Sequence, residues 1–416
     1  MTHREDRKGS EEDGPSALTP SSVRALREET PGTAERIHLN NAGAGLMPEP
    51  VLSAVVSQLD LESRIGGYEA AEEASGRVAA AYEAVASLVG SSPSNVAFVE
   101  SATAGIARAL SAIPFKAGDR IVTTRNDYVS NQIMYLSLKE RLGVDVVRAP
   151  EAPEGGVDPR RMEELVHRLR PRLVAVTHVP TNSGLVQPVE EVGRICRRRG
   201  VSYLVDACQS VGQLPVRVEE VGCDFLAASA RKFLRGPRGS GFLYVSDRIL
   251  DQGLEPLFPD LRGADWVDDD LYQPAPDARR FEWWESSVAG VLGTGAAARY
   301  ALQVGVAEGG IRACALAERL RGSLSELPGC RVLDRGENLS AIVTATFADW
   351  SPRDLVVALR EEGVNSSASE SGSGLLDFRD KGVEGALRLS PHYYNTEEEV
   401  DRTVEILERK AGGRDG

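Results

Sequence analysis

"RLVAVTHVPTNSGLVQPVEEVGRICRRRGVSYLVDACQS", residues 172–210, decides the architecture. Its two ends, "RLVAVTHV" (172–179) and "VSYLVDA" (201–207), are short, apolar and rich in β-branched residues, the composition of strands buried on both faces. Between them "PVEEVGRICRRRG" (188–200) reads as a helix, with Pro188 at its start and Gly200 just past its end. A strand, a helix and a second strand imply a parallel pair joined by a crossover. Working outward, "NVAFVES" (95–101), "DRIVTTR" (119–125), "VDVVRAP" (144–150), "CDFLAAS" (223–229) and "GFLYVS" (241–246) have the same texture. Helical stretches separate most of them; Val78, Tyr82, Val85 and Val89, for example, recur at helical spacing before Gly90. The expected fold is therefore α/β, a largely parallel sheet with helices on both faces, whose ligands sit at the carboxyl ends of the strands.

Beyond about residue 300 the pattern changes to a smaller α+β domain. "LSAIVTATFADW" (339–350) reads as a strand, "PRDLVVALREEG" (352–363) as a helix, and "GALRLSPHYYN" (385–395) as a strand entering a turn. A last helix opens on a capping box of Thr396 and Glu399, with Val400, Val404 and Leu407 as its buried stripe. "SSASESGSG" (366–374) reads as a flexible loop. The expected division is a disordered tail over residues 1–20, a large domain over 49–300, and a small domain built from 21–48 and 301–416.

Composition narrows the function. The 416 residues carry a net charge of -14 and no basic stripe, which disfavours nucleic acid and anionic membrane surfaces. Five scattered cysteines with no CxxC pair suggest neither zinc nor a disulfide framework, and the five histidines show no metal-binding spacing. No apolar run approaches the ~18 residues of a membrane span and the amino terminus is polar, so the expectation is a cytoplasmic protein.

The strand ends carry the chemistry. "YLVDACQS" places Asp206 at the end of an apolar strand, where a carboxylate is costly to bury without a cationic partner. Taken alone, Asp206 also suits a helix cap. The next strand ends at Ser229, just before Lys232, so an acid and an amine emerge at one edge of adjacent strands. That pairing serves pyridoxal phosphate, which needs a lysine for a Schiff base and an acid on its pyridinium nitrogen. "FVESATAGIARAL" (98–110) passes from strand to helix through Ser101, Ala102 and Thr103, offering backbone N–H groups to a phosphate or simply a capped helix start. Tyr128, just past another strand end, offers an aromatic face.

These residues resemble the class V aminotransferase family of fold-type I pyridoxal phosphate enzymes, over about His38 to Val404. The resemblance implies that Asp206 binds the ring nitrogen and Gln209, in "DACQSVGQLPV" (206–216), the phenolic oxygen. In "SARKFLRGPRGSGFLYV" (229–245) it makes Lys232 the catalytic Schiff-base residue and Ser229 a phosphate ligand. It assigns Ala102 and Thr103 to the phosphate, Tyr128 to the ring face, and Thr181, with Asn182 beside it, to the cofactor's oxygen. "LRLSPHYYNTEEEV" (387–400) is similar to the motif whose arginine grips the substrate carboxylate, here Arg388, and "LNNAGAGLMP" (39–48) resembles the substrate loop, with Asn41 assisting. Lys232 then removes the α-proton, with Tyr128 or His392 assisting protonation. A homodimer with shared sites is implied, the "RIGGYEAA" segment (64–71) reaching the partner.

Departures from the family pattern steer the expected activity. Cysteine desulfurases of the family carry a nucleophilic cysteine shortly before the carboxylate arginine, and here no cysteine follows Cys330. Arg231 replaces their histidine before the lysine, and Glu285 in "RFEWWESS" (280–287) stands where a phosphate-binding threonine is expected, leaving Ser286 or Ser287 as substitutes. "GGYEAAEEA" (66–74) and the Arg231–Lys232 pair look like the ergothioneine-pathway lyase. The expectation is therefore a lyase that cleaves the C–S bond of a cysteine conjugate or its sulfoxide to pyruvate and ammonia. Transamination or epimerisation of an amino acid is the alternative, and persulfide-forming desulfuration is disfavoured.

Overall fold

The computed structural model describes residues 18–412. Most of the expected tail, residues 1–17, lies outside them; Thr19 caps a helix over Pro20–Glu28, its hydroxyl accepting from the Ser22 N–H at 3.2 Å.

Seven strands form the central sheet: β1 (Val96–Val99), β2 (Arg120–Thr123), β3 (Asp145–Arg148), β4 (Leu173–Thr177), β5 (Ser202–Asp206), β6 (Phe225–Ser229) and β7 (Gly241–Val245). Their spatial order is β1-β7-β6-β5-β4-β2-β3. Five of them, β6-β5-β4-β2-β3, pair in parallel, and β7 runs antiparallel to both β6 and β1. The reason is connection length. Residues 230–240 join β6 to β7 without a helix, and so short a link returns the chain beside itself instead of crossing over. Burial shows why these strands read as continuous apolar runs. In β4, Val174 and Val176 pack on one face with Val205, while Leu173 and Ala175 pack on the other with Leu204 and Ala227. Helices cover both faces, including Ser75–Val89, which ends at Gly90 in the left-handed region (φ 69°), and Val189–Arg199, which ends likewise at Gly200.

A second sheet of four antiparallel strands follows: β8 (Cys330–Val332), β9 (Val343–Phe347), β10 (Ser367–Glu370) and β11 (Gly385–Leu389), ordered β8-β9-β11-β10. The helices Val306–Ser325 and Pro352–Glu361 pack on it, and Glu397–Gly412 packs against both of them. The capping box holds, with the Glu399 N–H donating to the Thr396 hydroxyl and the Thr396 N–H to the Glu399 carboxylate, both at 3.2 Å. One local expectation fails. The serine-rich stretch 366–374 is not simply a loop; Ser367–Glu370 is a strand bonded along Gly385–Arg388, because β11 offers an open edge that short side chains approach easily. Among the described residues no helix is long and apolar enough to cross a membrane.

Two features tie the loop after β6 to the rest of the molecule. Gly45 donates its N–H to the Arg231 carbonyl at 2.8 Å, and a Cβ at Gly45 would lie 2.7 Å from the Lys232 carbonyl oxygen, so only glycine fits there. Arg235, buried and in the left-handed region, donates to the Leu46 carbonyl, the Tyr393 hydroxyl and the Thr30 hydroxyl, and its guanidinium lies 4.5 Å from the Tyr394 ring centre.

Candidate active site

The register of the central strands sets the site. Thr177 pairs with Asp206 and Asp206 with Ala227, so the carboxyl ends of β4, β5 and β6 finish side by side. Asp206 is buried; one carboxylate oxygen accepts from the Asn131 side chain at 2.9 Å and the other from the Cys208 N–H at 3.0 Å. Both donors are neutral amides, which leaves the buried charge suited to a cationic group on its open side.

Asn131 is held in turn by a second buried acid, Asp127. The Asn131 amide lies 3.3 Å from Asp127, whose oxygens also accept from the Tyr128 N–H, the Thr123 and Thr177 hydroxyls and the Gln132 amide. Burial raises the Asp127 pKa, the hydrogen bonds oppose that rise, and the charge of Asp206 adds to it. Neither Asp127 nor Asn131 stood out as functional in the sequence. The signal was their i, i+4 spacing around Tyr128, which puts both polar groups on one face where the helix Val129–Leu142 begins.

Lys232 is buried in the loop after β6, its Nζ 5.6 Å from the centre of the Tyr128 ring. Burial lowers its pKa; Cys208 and Asp206 oppose the shift, while Arg231 and Arg388 add to it. An amine so placed gives up its proton more readily than an exposed lysine. Lys232, Tyr128 and Asp206 line one recess with Ser101, Ala102, Thr103 and Ser229. There Ser101 caps the helix Ala102–Ala112 by accepting from the Ala104 N–H, and the Ala102 N–H donates to the Ser229 hydroxyl at 3.0 Å.

The recess adjoins a cavity of about 480 Å³ bordered by Ala42, Gly43, Tyr128, Thr181, Arg231, Lys232, Arg353, Glu370 and Arg388. Arg388 donates to the Thr181 carbonyl and hydroxyl at 3.0 and 2.7 Å and to the Asn40 side chain at 3.2 Å, while its Nε is buried without a partner. Burial, then the charge of Arg231, pushes Arg388 down to about 10. Gln209 donates to the Ala42 carbonyl and the Thr181 hydroxyl, and its own oxygen is buried and unpaired.

Five expected residues stand elsewhere or are otherwise engaged. Asn41 is not free for a carboxylate: its amide donates to the His38 and Ser390 carbonyls and its oxygen accepts from the Tyr394 hydroxyl, so its neighbour Asn40 meets Arg388 instead. Asn182 is bonded to Asp377 at 2.8 Å. His392 is packed between the Phe233 and Tyr394 rings and bonded to the Phe233 carbonyl; burial pushes it down to about 3, so it stays neutral and structural. Ser287 caps the helix Val288–Val304, while Glu285 and Ser286 are exposed.

Comparison with known proteins follows the same outline. The family described as aminotransferase class-V matches residues 37–403. A probable cysteine desulfurase of Methanothermobacter thermautotrophicus is 32% identical over 396 residues, 93% of this chain and 98% of that protein. One from Pyrococcus abyssi is 28% identical over 396 residues, 92% of this chain and 96% of its own length. The apo structure of the cysteine desulfurase of Thermococcus onnurineus NA1 superposes with a TM-score of 0.87 at 26% identity, covering 96% of this chain and 100% of that one.

These relatives correct the expected activity. Neither the ergothioneine-type C–S lyase nor its transaminase and epimerase alternatives find support, and desulfuration, which the missing loop cysteine disfavoured, is the activity the relatives are named for. The misleading string "GGYEAAEEA" lies largely on the short helix Gly67–Glu73, where alanine and glutamate are ordinary helix formers and carry no mark of a substrate.

Proposed function

Since the chain belongs to the class-V aminotransferase family, we propose that it removes the sulfur of L-cysteine and leaves L-alanine. It is a pyridoxal phosphate enzyme, and the residues present suit that group. Lys232 would attach it, Asp206 would hold its ring nitrogen protonated, and Tyr128 would cover a ring face. The Ala102 and Thr103 end of the helix with Ser229 would take the phosphate, and Thr181 with Gln209 the phenolic oxygen. When bound, the cofactor supplies an electron sink for the carbanion that forms at the substrate Cα.

The observation that carries the reading is the shared opening of Lys232 and Arg388 into one cavity, in a chain whose relatives are named desulfurases. Arg388, whose fork nitrogens hold Thr181 and Asn40 at the cavity, grips the substrate carboxylate. Lys232, its ammonium disfavoured by burial, takes and returns the proton at Cα. Loss of sulfur then balances as L-cysteine plus a thiol giving L-alanine plus the persulfide of that thiol. The acceptor is an incoming thiol. The rim segment 366–374 has no cysteine, and burial pushes the Cys208 thiol, inside the recess, away from its reactive thiolate form.

The test is direct. With cofactor and a small thiol, L-cysteine is expected to yield L-alanine and reducible sulfur in equal amounts. Pyruvate in place of alanine would refute the reading.

A second copy of the chain is the proposed partner. Tyr68, Phe258 and Trp266 are each at least 74% exposed, an unusual number of bare large rings for a lone protomer. Trp266 stands on the hairpin of Ala264–Asp268 and Leu271–Pro274. Sedimentation is expected to show a dimer, and the double variant Phe258→Glu with Trp266→Glu to shift it to monomer. A wild-type monomer at micromolar concentration would refute the arrangement.

A further inference from the structure

Arg235 combines two costly features. Its backbone takes the left-handed conformation (φ 63°) although it is not glycine, and its charged side chain is fully buried with hydrogen bonds to neutral groups. The guanidinium donates to the Leu46 carbonyl and the Tyr393 hydroxyl at 2.7 Å and to the Thr30 hydroxyl at 2.6 Å. The ring centres of Tyr394, Tyr393 and Tyr300 lie 4.5, 5.3 and 5.6 Å from it. A strained backbone and a buried charge persist only where the surroundings over-determine them, and such costs collect at functional sites.

The groups joined here come from four parts of the chain. Thr30 and Leu46 lie on the segment before the first long helix, Tyr300 on Val288–Val304, Tyr393 and Tyr394 on the turn after β11, and Arg235 on the loop of Lys232. Three of these parts run on into the candidate active site. The Arg235 N–H donates to the Lys232 carbonyl at 2.9 Å, so the backbone that presents Lys232 turns on Arg235. The Tyr394 hydroxyl accepts from the Leu46 N–H at 3.4 Å and donates to Asn41, whose amide holds the carbonyl of Ser390, two residues past Arg388. Asn40, next to it, accepts from Arg388 itself.

We propose that Arg235 is a positioning residue that sets the distance and direction of Lys232 relative to Arg388. Its planar fork locks the lysine loop, the segment 40–46 and the turn 390–394 into one unit, so that a substrate held by its carboxylate presents its Cα proton to the amine. Lysine cannot take the place, since an ammonium has no fork to reach three acceptors in fixed directions. The inference rests on the sulfur-removal roles of Lys232 and Arg388.

The experiment uses the cofactor-loaded protein, with turnover counted per bound cofactor. Arg235→Met keeps the apolar stem, and Arg235→Gly supplies the residue that favours this backbone. Both are expected to lower kcat for L-cysteine by about 10–100-fold, the effect of misplacing a reacting group by about an ångström. Both are also expected to lose at least half of the visible circular dichroism per unit absorbance, as the cofactor on a loosened lysine loses its fixed orientation. Arg235→Lys is expected to fall between them and the wild type. Tyr393→Phe and Thr30→Val, which each remove one acceptor and keep the packing, are expected to show the same two changes with kcat lowered about 2–10-fold, the worth of one hydrogen bond. They decide the matter where an Arg235 variant does not fold. Native kcat and native ellipticity with only the melting temperature lowered overturn the inference and leave the guanidinium a prop of the fold. If Lys232→Ala is inactive while the Arg235 series stays native, this inference alone falls. If the wild type forms no alanine from L-cysteine, sulfur removal falls, and the ellipticity series still decides the role of Arg235.

Discussion

Lys232→Ala is expected to lose the visible absorbance of the lysine-linked cofactor and to lower kcat by at least about 10²–10⁴-fold, the usual contribution of a positioned acid–base group, with loss of covalent attachment added to it. The variant should still fold, because the loop around Lys232 is held by backbone bonds from Gly45 and Arg235 that do not involve its side chain. Unchanged colour and turnover would end the assignment. The pH dependence follows from charge. Burial, with Arg231 and Arg388 nearby, lowers the Lys232 pKa, so the free amine persists to lower pH than for an exposed lysine and activity falls on the acid side as the amine gains a proton. Arg231→Gln removes a cation and raises the pKa again, so the acid limb of the pH profile is expected to move to higher pH. A limb that stays in place or moves the other way contradicts this charge arrangement.

Asp206→Ala is expected to weaken cofactor binding by at least about 10–100-fold and to cut turnover further, since a charged hydrogen bond and the counter-charge of the ring nitrogen disappear together. The supporting pair predicts a graded series. Asn131→Ala removes one of the two donors on Asp206 and leaves its charge, so its effect should fall between wild type and Asp206→Ala. Asp127→Asn places a donor where the Asp127 carboxylate accepts from several groups, and should act on cofactor affinity through Asn131. Equilibrium dialysis of the cofactor against each variant measures the order. Equal affinities across the series would remove Asp206 from the ring nitrogen.

The sequence alone determined the main sheet, because strands buried on both faces must be apolar throughout and the helices between them must carry a stripe; all seven strand runs appear within a few residues of their expected limits. It also determined that Asp206 and Lys232 emerge together, since consecutive parallel strands end on one edge. Direction and contact were decided only by tertiary structure. β7 reads like its neighbours yet runs opposite to them, because hydropathy carries no sign of direction and only the connection sets it. Asn40 and Asn41 are adjacent and chemically identical, and the packing of Tyr394 and Ser390 chooses which of them meets Arg388. The Asp127–Asn131 support, the strand inside a serine-rich segment and the neutral cage around the Arg235 guanidinium all arise between elements far apart in the chain. Local spacing records a residue's neighbours along the backbone, whereas the environment that sets its charge and its partners is assembled only when distant segments pack together.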